Sequence, residues 1–237
     1  MIHQSALARS SYRVWLAFLA LAIAAPAAAS NEAAVPAHRE PSHHLVFQNQ
    51  FVRILDIRVP AGRVTKYHVH ADPLVTVLVQ DAQTRSQLFG EAPGKVMPRG
   101  DVPIVGDNWD EKLPYTHRVA NVDTVPFHRI GAEWLGPAGG GCSDLQPPGG
   151  YELNRESRFA RVYEVRLGPG EATPRHTHSC PGLTVQGTSG RLLNSGGRPA
   201  AQGGSGAGYW FWRDAGHDHV LRNTSNQAIT VFEIDWR

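Results

Sequence analysis

The chain has 237 residues, 23 basic and 21 acidic side chains, and two cysteines, and this length suits one large or two small domains. Residues 1–29 contain two arginines and no acidic residue, so the rest of the chain has 21 basic and 21 acidic side chains and a formal charge of zero. This balance argues against a nucleic-acid partner or an anionic membrane surface, and two cysteines exclude a disulfide-rich scaffold.

The first segment, residues 1–29, is predicted to be a cleaved signal peptide. Arg9 and Arg13 precede the apolar run Val14–Ala25, and Ala27–Ala29 supply the small residues of a cleavage site. The twelve residues of the apolar run are fewer than the roughly 20 that a membrane-spanning helix needs. We therefore expect a secreted or periplasmic protein without membrane contact after cleavage, and an uncleaved membrane tether is the alternative.

Short β-strands are predicted along the remainder of the chain. A polar segment at residues 30–44 is followed by the runs FVRILDIRV and LVTVLV, and FARVYEVRL and AITVFEIDW come later; all are rich in alternating or β-branched residues. A Gly- and Pro-rich stretch without periodicity, residues 136–152, is predicted to be a linker. The sequence thus predicts an all-β protein with domains at residues 45–135 and 153–237.

The two predicted domains match each other in sequence. RILDIRV at residues 53–59 aligns with RVYEVRL at residues 161–167 at an offset of 108, and beyond a shorter connection the offset becomes 102. The pairs that match at these offsets are Gly62 and Gly170, His68 and His176, His70 and His178, Gly106 and Gly208, His117 and His219, and Asn121 and Asn223. A repeat of about ninety residues is a duplicated domain, because solenoid units are shorter.

The repeated histidines have the spacing of metal ligands on β-strands. Residues i and i+2 of a strand face the same side, about 6.5 to 7 Å apart, so a His-x-His pair can aim two imidazoles at one ion. The predicted ligands are His68, His70 and His117 in the first domain and His176, His178 and His219 in the second. A lone histidine is usually structural or exposed, but six at matching positions favour a divalent transition metal.

At these residues the chain resembles the cupin superfamily. The first motif of that family is Gly, five residues, His-x-His and a later Glu; the second is Gly, ten residues, His, three residues and Asn. Both domains match the two motifs except at the glutamate. The resemblance implies two tandem cupin (jelly-roll) barrels, a small-molecule substrate or ligand, and a bound metal, with iron expected first and manganese, nickel, copper or zinc as alternatives.

The glutamate of the first motif is absent from both domains. Leu74–Val75 and Gly182–Leu183 occupy its position, so each site is expected to hold three histidines and no carboxylate, as in some cupin dioxygenases. Asp72 or Cys180 would be a substitute ligand by strand alternation. A turn residue at Asp72 and a buried or disulfide-bonded Cys180 are the competing interpretations.

Other aromatic and histidine side chains are assigned weaker roles. Tyr209–Trp212 is expected to serve mainly in core packing, with an aromatic pocket wall as the alternative. His217 is either a proton carrier beside the second site or a surface residue. His43 and His44, in the polar segment, are assigned no site role.

Three functions remain open at this point. The first is a metal-dependent oxidoreductase, most similar to a cupin dioxygenase that acts on a small organic molecule. The second is a non-catalytic cupin that binds a metal or small ligand, and the third is a structural or association protein, for which a homo-oligomer is conceivable. The fold alone does not choose among them, and no residue is assigned a catalytic role.

Overall fold

The computed structural model of the protein describes residues 33–109, 111–136, 149–196 and 206–237. Within these ranges the chain consists of β-strands and one short 3-10 helix, Ala37–Arg39, so the predicted all-β class is confirmed. No helix in the described ranges is long and apolar enough to cross a membrane. The predicted signal peptide, most of the predicted linker, and Cys142 lie outside the described residues.

The strands of the first half form two facing sheets. In chain order they are β1 (Val35–Pro36), β2 (His43–Gln48), β3 (Val52–Val59), β4 (His68–His70), β5 (Leu74–Gln80), β6 (Thr84–Leu88), β7 (Ile104–Asp107), β8 (Tyr115–Asn121) and β9 (Phe127–Trp134). A five-stranded sheet has the order β2-β3-β9-β5-β7, and a four-stranded sheet has the order β1-β4-β8-β6.

The second half repeats this arrangement. Its strands are β10 (Tyr151–Glu156), β11 (Ala160–Leu167), β12 (His176–His178), β13 (Gly182–Gln186), β14 (Leu192–Ser195), β15 (Trp210–Arg213), β16 (His217–Asn223) and β17 (Ile229–Trp236). The sheets have the orders β10-β11-β17-β13-β15 and β12-β16-β14. Apart from the hairpins β2–β3 and β10–β11, neighbouring strands are not consecutive in the chain, which is the connectivity of a jelly roll.

In each barrel, the edge strand of the five-stranded sheet begins outside the predicted domain bounds. β2 starts at His43, inside the predicted polar segment, and β10 starts at Tyr151, inside the predicted linker. His43 lies opposite Ile57 and Tyr151 lies opposite Val165. Because Ile57 and Val165 are themselves 108 residues apart, the internal repeat extends back to His43 and Tyr151.

The asparagine of the second motif fastens a turn in each barrel. The Asn121 amide donates hydrogen bonds to the carbonyl oxygens of Val59 and Val125, at 2.9 and 2.8 Å. The Asn223 amide donates to the carbonyl oxygens of Leu167 and Gln227, at 3.0 and 2.7 Å. These asparagines hold strand ends together at buried positions, where backbone carbonyls need donors.

A hydrophobic core joins the two five-stranded sheets. It contains residues of both barrels, and the indole rings of Trp134 and Trp236 stack at its centre with centroids 5.2 Å apart. Trp210 and Trp212 also belong to it, whereas Phe211 faces the interior of the second barrel. Tyr209–Trp212 therefore serves mainly in packing, and the two barrels share one core.

This shared core yields a prediction about stability. Ile234 is 1% exposed in the core between the barrels, so Ile234→Ala is expected to lower the free energy of unfolding by about 2–5 kcal/mol. Denaturant titration followed by tryptophan fluorescence measures this change. Leu193→Ala removes as many carbons from a side chain that is 50% exposed, and its effect is expected to stay within about 0.5 kcal/mol. Equal losses in the two variants would contradict the assignment.

Candidate metal centres

The structure brings the six predicted histidines together in two groups of three. Antiparallel pairing places His117 of β8 directly opposite His68 of β4, and His219 of β16 opposite His176 of β12. Strand alternation then adds the second histidine of each His-x-His pair on the same face. The potential ligand atoms lie within 4.8 Å of one another in each group: His68, His70 and His117 in the first barrel, and His176, His178 and His219 in the second.

In the second group, the hydrogen bonds of His176 and His178 leave their Nε2 atoms facing inward. The Nδ1 of His176 donates to the Pro174 carbonyl oxygen at 2.8 Å, and the Nδ1 of His178 contacts the Asp235 carboxylate at 3.0 Å. Each neutral ring therefore carries its lone pair on Nε2. The Nε2 of His219 lies 2.9 Å from that of His176 and 3.2 Å from that of His178. Converging lone pairs repel one another unless a cation or a proton lies among them.

Glu233 adds a fourth donor to the second group. Its carboxylate oxygens lie 3.2 Å from the Nε2 of His176 and 3.3 Å from the Nε2 atoms of His178 and His219. Glu233 belongs to β17 and its side chain is fully buried. The expectation of three histidines without a carboxylate was thus wrong for this site. The carboxylate comes from the last strand instead of the position of the family glutamate.

Buried charges around Glu233 prepare the second group for a cation. Burial would raise the pKa of Glu233, but Arg213 and His178 lower it well below its ordinary value. Burial and Arg213 would lower the pKa of His178, yet Glu233 and Asp235 raise it overall. The Arg213 guanidinium donates to Asp235 at 2.8 Å. Two carboxylates therefore face one guanidinium, and the remaining negative charge favours a proton on His178 or a metal ion.

The first group contains histidines that stay neutral. Burial, followed by His68 and Arg129, lowers the pKa of His117 to about 3, and burial with His117 lowers that of His70 to about 2. The Nε2 atoms of His70 and His117 are 3.2 Å apart. The Nδ1 of His68 donates to the Lys66 carbonyl oxygen at 2.9 Å, which leaves its Nε2 free to coordinate. This donor set fits a transition metal.

Glycine replaces the fourth donor in the first barrel. Thr76 of β5 lies opposite Gly131 of β9, and the matching Thr184 of β13 lies opposite Glu233 of β17. Gly131 therefore occupies the place of Glu233. The first site has three histidines, as the sequence analysis expected, and the second has three histidines with a carboxylate.

Neither of the two suggested substitute ligands joins a group of potential ligands in the described residues. Asp72 accepts a hydrogen bond from Arg53 at 3.1 Å, and Arg53 also donates to Glu133. Cys180 is disulfide-bonded, which removes its thiol. The chain has one other cysteine, Cys142, which lies outside the described residues.

Two ring side chains beside the sites were missed by sequence reasoning. His43 packs edge-on against His68 with centroids 4.6 Å apart, and Tyr151 packs similarly against His176 at 5.4 Å. The Tyr151 hydroxyl is 3.4 Å from the Nε2 of His176; burial and then Glu233 raise its pKa, so it stays protonated. The only signal for them in the sequence is that His43 and Tyr151 stand equally far before the matching strands β3 and β11.

His217 lies beside the second group, with its ring centre 4.9 Å from that of His219.

A cavity of about 260 Å³ opens beside the first histidine group. Its walls are partly apolar, with Ile57, Leu74 and Phe127 among them. The polar side chains that line it include His43, Tyr115 and Arg129 next to the three histidines. A partly apolar cavity with a few converging polar groups is typical of a small-molecule site.

Comparisons with solved structures find proteins with the same fold over both barrels. AerE from Microcystis aeruginosa has a TM-score of 0.54 at 10% identity, covering 84% of this chain and 98% of that chain. Salicylate 1,2-dioxygenase from Pseudaminobacter salicylatoxidans has a TM-score of 0.53 at 11% identity, covering 78% and 71%. YhaK from Escherichia coli has a TM-score of 0.51 at 10% identity, covering 82% and 90%.

At these identities the likeness concerns the fold. No protein-family model and no curated protein matches the sequence. The strand order, the duplicated histidine groups and the structural neighbours together confirm the predicted fold of two tandem cupin barrels.

The fourth donor of the second site leads to a prediction about metal affinity. Glu233→Gln keeps the shape of the side chain but removes the negative charge that faces three Nε2 atoms. We expect it to weaken Zn²⁺ binding at least about tenfold. Chelator competition measures this affinity in a His68→Ala/His70→Ala/His117→Ala background, where only the second site remains.

Glu133→Gln is the matched control for this experiment. Glu133 is also a buried carboxylate, and it lies on β9, the last strand of the first barrel. It accepts a hydrogen bond from Arg53 and belongs to neither of the two groups of potential metal ligands. The control is expected to keep the affinity of the background protein. Equal affinities for Glu133→Gln and Glu233→Gln would show that Glu233 is not a ligand.

Proposed function

We propose that the protein is a metal-binding bicupin that acts as a dioxygenase-like oxidoreductase on a small organic molecule. The observation that carries this proposal is the convergence of three histidine side chains in each barrel. Four of the six have a partner at Nδ1, which leaves Nε2 to face the group: His68, His117, His176 and His178. The cavity beside the first group supports a small-molecule substrate. The salicylate dioxygenase among the structural neighbours makes oxygen chemistry compatible with this fold.

The two histidine groups would hold the metal, with Glu233 as an additional ligand in the second barrel. A divalent transition metal supplies Lewis-acid and redox chemistry when bound, and iron is proposed first. Asp235 accepts from the Nδ1 of His178 and so orients that ring. Arg213 lies within 3.5 Å of Glu233 and holds its carboxylate in the charged form. Such partners maintain both the direction and the charge state of ligands.

The residues around the first group would bind and enclose the substrate. Ser86 contacts the Nδ1 of His117 at 3.1 Å and orients that ring. His43 donates from Nδ1 to the Ala37 carbonyl oxygen at 2.9 Å. Burial, followed by His68, lowers its pKa to about 3, so the ring is neutral with its lone pair on Nε2. Apolar walls at Leu74 and Phe127 limit water beside the histidines. We therefore propose that the first barrel is the reaction site.

The second barrel supports a second candidate role, that of a metal site without turnover. Its donors are three imidazoles and one carboxylate, and Glu233 and His219 are fully buried. A site with four protein ligands is typical of structural metals, whereas catalytic sites keep a position open. If the protein were a non-catalytic metal-binding protein, both of its sites would hold metal without turnover.

We also propose that the protein works in an oxidising compartment, secreted or periplasmic. The disulfide at Cys180 supports this proposal because disulfides persist outside the reducing cytosol. The predicted signal peptide supports it independently.

Removal of each histidine group tests the proposed function. The two variants change His68, His70 and His117, or His176, His178 and His219, to alanine. Each is expected to lose about one equivalent of metal relative to the wild type, because three imidazoles supply most of each donor set. Elemental analysis of the purified proteins measures this content.

Oxygen uptake distinguishes the reaction site from the supporting site. With a panel of hydroxylated aromatic acids and diketones, uptake is expected in the wild type and in the second-group variant, and not in the first-group variant. Metal binding without uptake in any protein would favour the non-catalytic role. A wild type that takes up no transition metal would contradict the proposal altogether.

A further inference from the structure

The inner faces of the two terminal strands differ in charge. β17 presents Val231 and then Glu233 to its barrel, and β9 presents Arg129 and then Gly131 at the matching positions. The first site thus has no counterpart of Glu233. Instead, β9 carries the cationic Arg129 at its previous inward-facing position. This difference in charge is the observation from which the inference starts.

Within the described ranges, Arg129 forms no ion pair with a carboxylate. Its Nε is buried and has no hydrogen-bond partner among the described residues. Its guanidinium carbon lies 4.8 Å from the centre of the Phe127 ring, and the side chain lines the cavity of the first barrel. A largely buried charge with no ion-pair partner in the described part of the chain is costly, so Arg129 is suited to pair with an anion in the cavity.

The acidic groups near Arg129 are engaged elsewhere. Asp107 also lines the cavity, but it accepts from the Trp109 amide at 3.2 Å and lies 3.8 Å from Arg155. Asp81 attracts Arg129, yet its carboxylate accepts from the amides of Ala82 and Gly100 at 2.8 and 2.7 Å. Arg129 remains the charge available to a molecule inside the cavity.

The cavity places this charge beside the histidine group. His117 and Arg129 line the same space, and Arg129 contributes to the lowered pKa of His117. The volume of about 260 Å³ equals roughly eight to nine waters at about 30 Å³ each. A small organic molecule can therefore contact the guanidinium with one group and face the imidazoles with another.

We propose that the first barrel binds a small organic carboxylate, whose carboxylate group pairs with Arg129 while its remainder faces His68, His70 and His117. Arg129 is then a specificity-determining residue, because a guanidinium matches the two oxygens of a carboxylate. This inference deepens the proposed function, and rests on it only in taking the cavity as the substrate site.

Matched pairs of charged and neutral probes test the proposal. The probes are benzoate with benzamide, and lactate with lactamide, titrated calorimetrically into the Zn²⁺-loaded full-length protein. We expect at least one carboxylate to bind the wild type about 10-fold to 100-fold more tightly than its amide, as for hydrogen bonds to charged groups. If neither carboxylate binds, or the amides bind equally well, the proposal is wrong.

Substitutions at Arg129 assign the effect to this residue. Arg129→Met keeps the length of the side chain without its charge and is expected to abolish the preference for carboxylate, whereas Arg129→Lys keeps part of it. Arg58→Met is the control, because Arg58 is an exposed arginine on the same sheet. Carboxylate binding to Arg129→Met with wild-type affinity would overturn the assignment.

Two further measurements keep the outcomes distinct. Arg129→Met is expected to melt above the wild type when no carboxylate is present, because an unpaired buried charge has been removed; this checks that the variant folds. Metal analysis of the same samples separates the two proposals. Arg129-dependent carboxylate binding in a protein that holds no metal would leave this inference standing and overturn the proposed function. Metal binding without carboxylate binding would leave the proposed function standing and overturn this inference.

Discussion

The structure depends on the burial of both faces of the terminal strands β9 and β17. None of their residues is exposed. Their outward residues, such as Ile130 and Ile234, fill the core between the barrels, and their inward residues surround the two histidine groups. Since strand neighbours point to opposite sides, an inward residue can change without disturbing the shared core. This geometry allows one duplicated framework to carry two different sites.

The two sites differ mainly in electrostatics. In the second barrel, Glu233 and Asp235 surround the histidines with negative charge that Arg213 only partly balances. In the first barrel, Gly131 leaves the imidazoles without a counterpart of Glu233, and Arg129 adds a positive charge to the cavity wall. The second arrangement favours firm retention of a cation. The first would leave room and charge for an exogenous anion. The division of labour that we propose between the barrels would thus follow from two inward positions.

The sequence could predict what depends on local spacing. His-x-His on a strand, a repeated motif and alternating hydrophobicity identified the barrels and all six histidines. It could not identify Glu233, His43 or Tyr151, because their closeness to the sites depends on strand pairing across the barrel. The strand register also differs from the alignment of the two halves in sequence. Gly106 lies opposite Thr76 in the first barrel. In the second barrel, the matching Thr184 lies opposite Phe211, although the alignment matches Gly106 with Gly208. The shorter connection in the second half shifts this strand by three residues relative to the glycine motif.

The core between the barrels has a consequence for the history of the duplication. Two copies of an ancestral domain that were joined only by a flexible tether could separate or be lost independently. Here Trp134 and Trp236 stack on one another, so the loss of either copy would leave an apolar sheet in water. Selection on folding would then retain both halves, whatever became of their chemistry. The two halves can therefore differ at inward positions, as they do at Gly131 and Glu233 and at Arg129 and Val231.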